Sequence, residues 1–152
     1  QEEWYAKRPI DAKWPPEMRD LQARVLVQLG EPAKAESIER ALVAANPDDA
    51  THLATLGIAA ASAGDTRSAR AISVRLARAA AALPQNDAIK GGPIALARAR
   101  LAAALGDSAG TAAFLEEAVH DEHTWIYFMH GYPIFHRFAA YPALQEVAKV
   151  RG

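Results

Sequence analysis

The chain has 152 residues, no cysteine, a formal net charge of −1 and a pI near 6.6. This charge balance excludes the basic surface that nucleic acids and anionic membranes attract, and no apolar run is long enough to span a bilayer. The lack of cysteine excludes disulfides, thiolate metal sites and cysteine nucleophiles. Alanine, the best helix former, supplies about a quarter of the residues, and β-branched residues are sparse. The composition therefore predicts an all-α fold.

Glycine, proline and the spacing of apolar residues predict the elements in chain order. We expect a short helix at 2–8, then helices at 16–29, 32–45, 49–62, 66–82, 93–105 and 108–120, and two tail helices at 123–129 and 142–150. Residues 84–92 form the one long connection. Asp48 is the candidate N-cap of the third helix, and Asp65 or Thr66 that of the fourth.

A near-repeat of 34 residues divides these helices into hairpins. Gly30 and Gly64 each separate two amphipathic stretches, and Gly106 begins a third copy. A small residue follows five positions after each glycine: Ala35, Ala69 and Thr111. Repeats of this length indicate stacked helix–turn–helix units, each of which needs a neighbour to bury its apolar face.

The pattern resembles the tetratricopeptide repeat, in which small residues let two antiparallel helices approach closely. Ala23 and Gly57 hold the small position of the first helix, and Pro47 closes the first copy. The chain departs from the family at the second-helix aromatic, which is replaced by Glu39, Ser73 and Leu115. The resemblance covers 16–83 and 93–120, and it implies an α-α superhelix of three hairpins that binds other proteins.

The last 40 or so residues resemble a tail that often closes tetratricopeptide arrays in bacterial transcriptional regulators, nucleotide cyclases and Ser/Thr kinases. The shared residues are Leu115, Ala118, Trp125, Tyr127, Pro133, Phe135, Phe138, Pro142, Leu144 and Arg151-Gly152. The resemblance implies an aromatic cap over the last repeat helix and a natural C-terminus. Gln1 is not an initiator methionine, so we expect an excised C-terminal domain, with a processed protein as the alternative.

Together these patterns predict one domain over 1–152. Its parts are an N-terminal cap or linker at 1–15, repeats at 16–47, 48–83 and 93–120, the connection at 84–92 and a C-terminal cap at 121–152. We expect a cytoplasmic protein, with the periplasm left open.

The repeat register places a candidate peptide-binding groove on the first helix of each pair. Its residues are Asp20, Arg24, Ala54, Ile58, Arg100 and Ala103. Arg24 and Arg100 are the cationic ends of this apolar groove and favour a segment with acidic groups. The alternative is that each arginine is solvated or paired locally. Arg67, Arg70, Arg75 and Arg78 are expected on the opposite, solvated face.

Four of the five histidines lie in the tail: His120, His123, His130 and His136. His120 and His123 are the candidate metal ligands, but they lie at a helix end and lack the H-E-x-x-H arrangement. We therefore expect no metal and no cofactor. A metal-dependent enzyme that uses these histidines is the weaker alternative.

No nucleophile elbow, P-loop or dinucleotide-binding motif is present. We therefore expect a non-enzymatic scaffold domain that binds a protein or peptide segment within a larger bacterial signalling protein. The alternative is a docking arm, intramolecular or self-associating, that regulates a kinase, cyclase or transcription-factor domain.

Overall fold

The computed structural model describes residues 13–84, 88–119, 132–138 and 140–151. These ranges contain α-helices, one 3₁₀ helix and no strand, which confirms the all-α prediction. None of the helices in these ranges combines the length and hydropathy needed to cross a membrane.

The helices follow one another in the order predicted. They are α1 Pro16–Gln28, α2 Pro32–Ala45, α3 Ala50–Ser62, α4 Thr66–Ala81, α5 Ala88–Ala104, α6 Ser108–Ala118, a 3₁₀ helix Pro133–Phe138 and α7 Pro142–Arg151. All predicted bounds agree within two residues except the start of α5, and the 3₁₀ helix was not predicted. The helices predicted at 2–8 and 123–129 lie outside the described residues.

Helix α5 begins at Ala88, five residues before the predicted start at Pro93. Proline within a helix normally disfavours helical backbone at the preceding residue, because its ring meets that residue's Cβ. Here the preceding residue is Gly92, which has no Cβ, so the helix continues through Pro93. The prediction treated the Gly-Gly-Pro sequence as a break and was wrong at this point.

Three near-identical turns join the first helix of each predicted hairpin to the second. Gly30, Gly64 and Gly106 have φ of 78°, 85° and 77°, a left-handed backbone that glycine adopts without steric cost. At the first turn, Gly30 N–H donates to the Val27 carbonyl at 3.1 Å and Glu31 N–H to the Leu26 carbonyl at 2.8 Å. The same pair of bonds recurs at the other two turns. Each is a Schellman motif, which satisfies carbonyls at the helix end and confirms the predicted glycine stops.

Aspartates begin three of the helices. Asp49 accepts from the backbone N–H of Thr51 and His52, so the cap of α3 is Asp49, one residue after the predicted Asp48. Asp65 accepts from Ser68 N–H at 3.0 Å, which confirms the expected cap of α4. Asp107 accepts from the backbone N–H of Gly110 at 2.9 Å.

The chain divides into two compact units between Ile72 and Ser73, within α4. In the N-terminal unit, α1 packs against α2, and α3 packs against both. Its apolar core is built from Ala23, Leu26, Ala35, Ile38, Leu42 and Ala59. Gly57, the other small residue of the predicted register, is also buried.

In the C-terminal unit, α5 packs against α6, the 3₁₀ helix contacts α5, and α7 contacts α6. The core includes Leu115, Val119, Phe135, Phe138 and Leu144. The tail thus covers the last hairpin, as predicted, over its described part. The predicted cap residues Trp125 and Tyr127 lie outside the described residues.

Candidate functional site

The structure distributes the six predicted groove residues between the two units. Asp20, Arg24, Ala54 and Ile58 belong to the N-terminal unit, and Arg100 and Ala103 to the C-terminal unit. All except Arg24 are buried. The groove as a ligand-binding surface therefore stays a prediction, and within these units Arg24 is its most accessible member.

The two arginines at equivalent repeat positions have different surroundings. The Arg24 side chain is 29 % exposed, and its Nε lies 3.0 Å from Oδ2 of Asp20, one helical turn earlier. Arg100 is 3 % exposed, and its guanidinium lies 4.8 Å from the ring centroid of Tyr132. Arg24 is therefore partly exposed and paired with a carboxylate. Arg100, by contrast, is a buried cation that packs against an aromatic ring inside the C-terminal unit.

The other predicted cations are also located. Arg98 lies 3.9 Å above the Phe114 ring, so Arg98 and Arg100 point in different directions on α5, as their spacing predicts. The four arginines of α4 are exposed, as expected: Arg67, Arg70, Arg75 and Arg78. His136 is exposed on the 3₁₀ helix. His120, His123 and His130 lie outside the described residues.

A cluster of buried polar side chains lies inside the N-terminal unit. Asp20 comes from α1, Glu39 from α2 and His52 from α3, and they are 3 %, 0 % and 7 % exposed. One ligand-type atom of each lies within 4.8 Å of the corresponding atoms of the other two. Thr55, also buried, completes the cluster from the next turn of α3.

Local sequence explains why these polar groups face inward. Glu39 lies on the apolar stripe of α2, with Ala35, Ile38 and Leu42 at the same helical face. His52 lies in the first turn of α3, where the Asp49 carboxylate accepts from its backbone N–H at 3.1 Å. The two helices therefore direct one carboxylate and one imidazole into the same interior.

Each member of the cluster contacts another across helices. Thr55 Oγ1 donates to Oδ1 of Asp20 at 2.7 Å, which joins α3 to α1. His52 Nδ1 lies 3.5 Å from Oε2 of Glu39 and 3.9 Å from Oδ1 of Asp20. The other ring nitrogen, Nε2, lies 4.0 Å from Oδ2 of Asp49. The imidazole is thus surrounded by carboxylates on both sides.

This environment raises the pKa of His52 above 6.5. The main cause is the charge-assisted interaction with the Asp20 side chain, and the negative charges of Asp49 and Glu17 add to it. Burial acts in the opposite direction, because it disfavours the imidazolium. The cluster therefore places one imidazole between carboxylates in a buried interior.

Neither Glu39 nor His52 was predicted to be a site residue. The available signal was Glu39 itself, a charge at the position where the repeat family places a buried aromatic. A buried charge requires a partner. His52 is the one histidine outside the tail, so it could have been predicted as the partner of Glu39.

Comparisons of the chain with protein-family models, with curated proteins and with solved structures found no match.

Proposed function

We propose that this chain is a non-enzymatic scaffold domain of the tetratricopeptide type that binds a peptide or protein segment. The observation that carries the proposal is the threefold recurrence of the same glycine turn between consecutive helices, at Gly30, Gly64 and Gly106. Arrays of such hairpins present fixed helix faces that receive a segment without rearranging.

Burial at the repeat register supports the same proposal. The small residues that separate paired helices are all fully buried: Ala23, Ala35, Ala69, Ala99 and Thr111. A single hairpin cannot bury both of its faces, so recurrence of these positions favours a stacked array. The resemblance of the tail favours a C-terminal place in a bacterial signalling protein.

We assign the ligand contact to the outward face of α1. Leu21 and Arg24 are half-buried, and Glu17 and Gln28 continue the same face at helical spacing. Arg24 is oriented by Asp20, so its guanidinium is held in place before a ligand arrives. A fixed guanidinium beside an apolar side chain matches a segment that carries a carboxylate next to an apolar residue.

The proposal is tested with an array of short peptides that combine acidic and apolar residues, measured by fluorescence anisotropy on the full chain. Arg24→Ala should weaken the best binder by about 1–3 kcal/mol, the usual cost of removing a central interface residue. Arg40→Ala is the matched control, because Arg40 pairs with Glu36 one turn away on exposed α2 surface.

Saturable binding that falls in Arg24→Ala and not in Arg40→Ala supports the proposal, provided that thermal melting is unchanged. Equal loss in both variants, or no binder in the array, contradicts it. Binding only to other domains of the parent protein would favour the docking arm.

A further inference from the structure

We propose that Asp20, Glu39 and His52 form a binding site for a divalent transition-metal ion, with Zn²⁺ as the best match. The site lies inside the N-terminal unit and not on the outward face of α1, and it shares the Asp20–Arg24 ion pair with the proposed peptide contact. One ligand comes from each of the three helices that pack together in the N-terminal unit.

The donor set fits such an ion. Zinc accepts carboxylate oxygens and imidazole nitrogens as ligands, at about 2.0–2.2 Å from the metal. In a tetrahedral site these bond lengths place ligand atoms roughly 3.4 Å apart. His52 Nδ1 lies 3.5 Å from Glu39 Oε2 and 3.9 Å from Asp20 Oδ1, and the three ligand atoms all lie within 4.8 Å of one another. Ligation therefore requires the side chains to approach one another by up to about 1.4 Å.

The direction of the imidazole is a second, independent observation. His52 Nδ1 is buried and faces the two carboxylates at distances longer than a hydrogen bond. Metal-binding histidines commonly place their second ring nitrogen next to a carboxylate. The carboxylate nearest to Nε2 of His52 among these groups is that of Asp49, whose Oδ2 lies 4.0 Å away, so such a hydrogen bond requires a further approach of the two side chains.

Outer groups already orient Asp20. Its Oδ1 accepts from Thr55 Oγ1 at 2.7 Å, and its Oδ2 lies 3.0 Å from Arg24 Nε. Such outer-shell contacts fix the direction of a ligand carboxylate and are a regular part of metal sites.

Charge balance also favours a divalent cation. The carboxylates of Asp20, Glu39 and Asp49 surround the imidazole, and Arg24 pairs with Asp20. A divalent ion bound to the imidazole and to the Asp20 and Glu39 carboxylates would compensate the charge of these carboxylates. Because buried uncompensated charge is costly, the cluster has a physical reason to take up such an ion.

A structural role alone does not require these residues. Buried ionic clusters are often no more stabilising than apolar side chains of the same size. In the C-terminal unit, the positions equivalent to Asp20 and Glu39 relative to the turn glycine are Leu96 and Leu115, and both pack in its core. The same scaffold is thus built there without the carboxylates.

The site is tested on the full chain after treatment with a chelator and dialysis. Zn²⁺ affinity is measured by competition with a chromophoric chelator, and Co²⁺ is added separately to record its visible absorption. We expect one equivalent of Zn²⁺ to bind, and Co²⁺ to give a d–d spectrum typical of nitrogen and oxygen ligands.

Variants then assign the ligands. We expect Asp49→Asn, which changes a group outside the ligand set, to lower Zn²⁺ affinity by about 10- to 100-fold. The ligand variants His52→Gln, Glu39→Gln and Asp20→Asn should each lower it more. His136→Gln, an exposed histidine on the 3₁₀ helix, is the control and should bind like the wild type.

Two results would overturn the assignment. One is a wild-type chain that takes up no stoichiometric Zn²⁺ and gives no Co²⁺ spectrum, a readout that does not depend on the folding of any variant. The other is binding that persists in His52→Gln but disappears when His120 and His123 are both changed to Gln, which would place the metal in the tail.

Discussion

The interiors of the two units differ in polarity at equivalent positions of the repeat. Nine residues after the turn glycine, the N-terminal unit has Glu39 and the C-terminal unit has Leu115, and both are fully buried. Ten residues before the glycine, the pair is Asp20 and Leu96. The backbone scaffold therefore does not dictate the polarity of these positions. Polar residues there create the interior that we propose binds a cation, and leucines create an apolar interior that the aromatic tail can cover.

The largest expected effect comes from removing the cover of the apolar interior. Deletion of residues 121–152 takes away Phe135, Phe138 and Leu144, which pack in the C-terminal core with Leu115. Burial of each such side chain contributes about 2 kcal/mol. We expect the deletion to lower the free energy of unfolding by several kcal/mol, a large part of the stability of a small domain.

Urea denaturation measures this loss. Phe135→Ala in the full chain is the milder comparison, with an expected cost of about 3–5 kcal/mol. A truncated chain that unfolds cooperatively at the same urea concentration would show that the tail is not part of the core.

The next effect concerns the polar interior. Glu39→Ala removes the carboxylate that lies 3.5 Å from His52 Nδ1. Removal of one partner from a buried ion pair costs about 3–5 kcal/mol of stability. The combined variant Asp20→Leu, Glu39→Leu and His52→Leu imitates the apolar interior of the other unit. We expect its stability to equal or exceed that of the wild type by about 1–4 kcal/mol.

Chemical denaturation of both variants in a chelator separates two interpretations. A stable combined variant shows that the carboxylates serve binding and not folding. A combined variant that is less stable than Glu39→Ala would instead make the polar cluster necessary for the fold.

The polar interior should make the stability of the chain depend on pH. The pKa of His52 is raised in the folded state, so the imidazolium contributes stability that is fully present below pH 6.5. This contribution is lost as pH rises above 6.5 and through the folded-state pKa. We expect wild-type stability in a chelator to fall over this interval, and the fall to be absent in His52→Gln.

Thermal melting between pH 6 and pH 9 measures the effect, with His136→Gln as the control because His136 is exposed. The same slope in His52→Gln and in the wild type would assign the pH dependence to another group.

The smallest effect is expected at a helix start. Asp107 accepts from Gly110 N–H at the beginning of α6, whereas Glu31, at the equivalent place before α2, makes no side-chain cap. Asp107→Ala should cost about 1 kcal/mol, the usual value of an N-cap, and Glu31→Ala less. Equal melting temperatures for the two variants would show that the Asp107 cap contributes nothing to stability.

The sequence by itself determined the helices and their turns. The stops at Gly30, Gly64 and Gly106 were predictable because a left-handed residue at a helix end is a local requirement that glycine meets. The burial of Ala23, Ala35 and Ala69 was predictable from the repeat spacing, which places small residues where paired helices meet. The start of α5 was missed because Gly92 relieves a steric conflict that the proline rule assumes.

Only the tertiary structure decided which polar groups meet. Asp20, Glu39 and His52 lie on three different helices, and their contact depends on how those helices pack and on the direction of each side chain. The sequence placed Asp20 in a groove and gave His52 no role, because helical periodicity specifies a face but not the partner that the face meets. The candidate metal site therefore emerged from packing, while the scaffold that positions it was largely predictable from local rules.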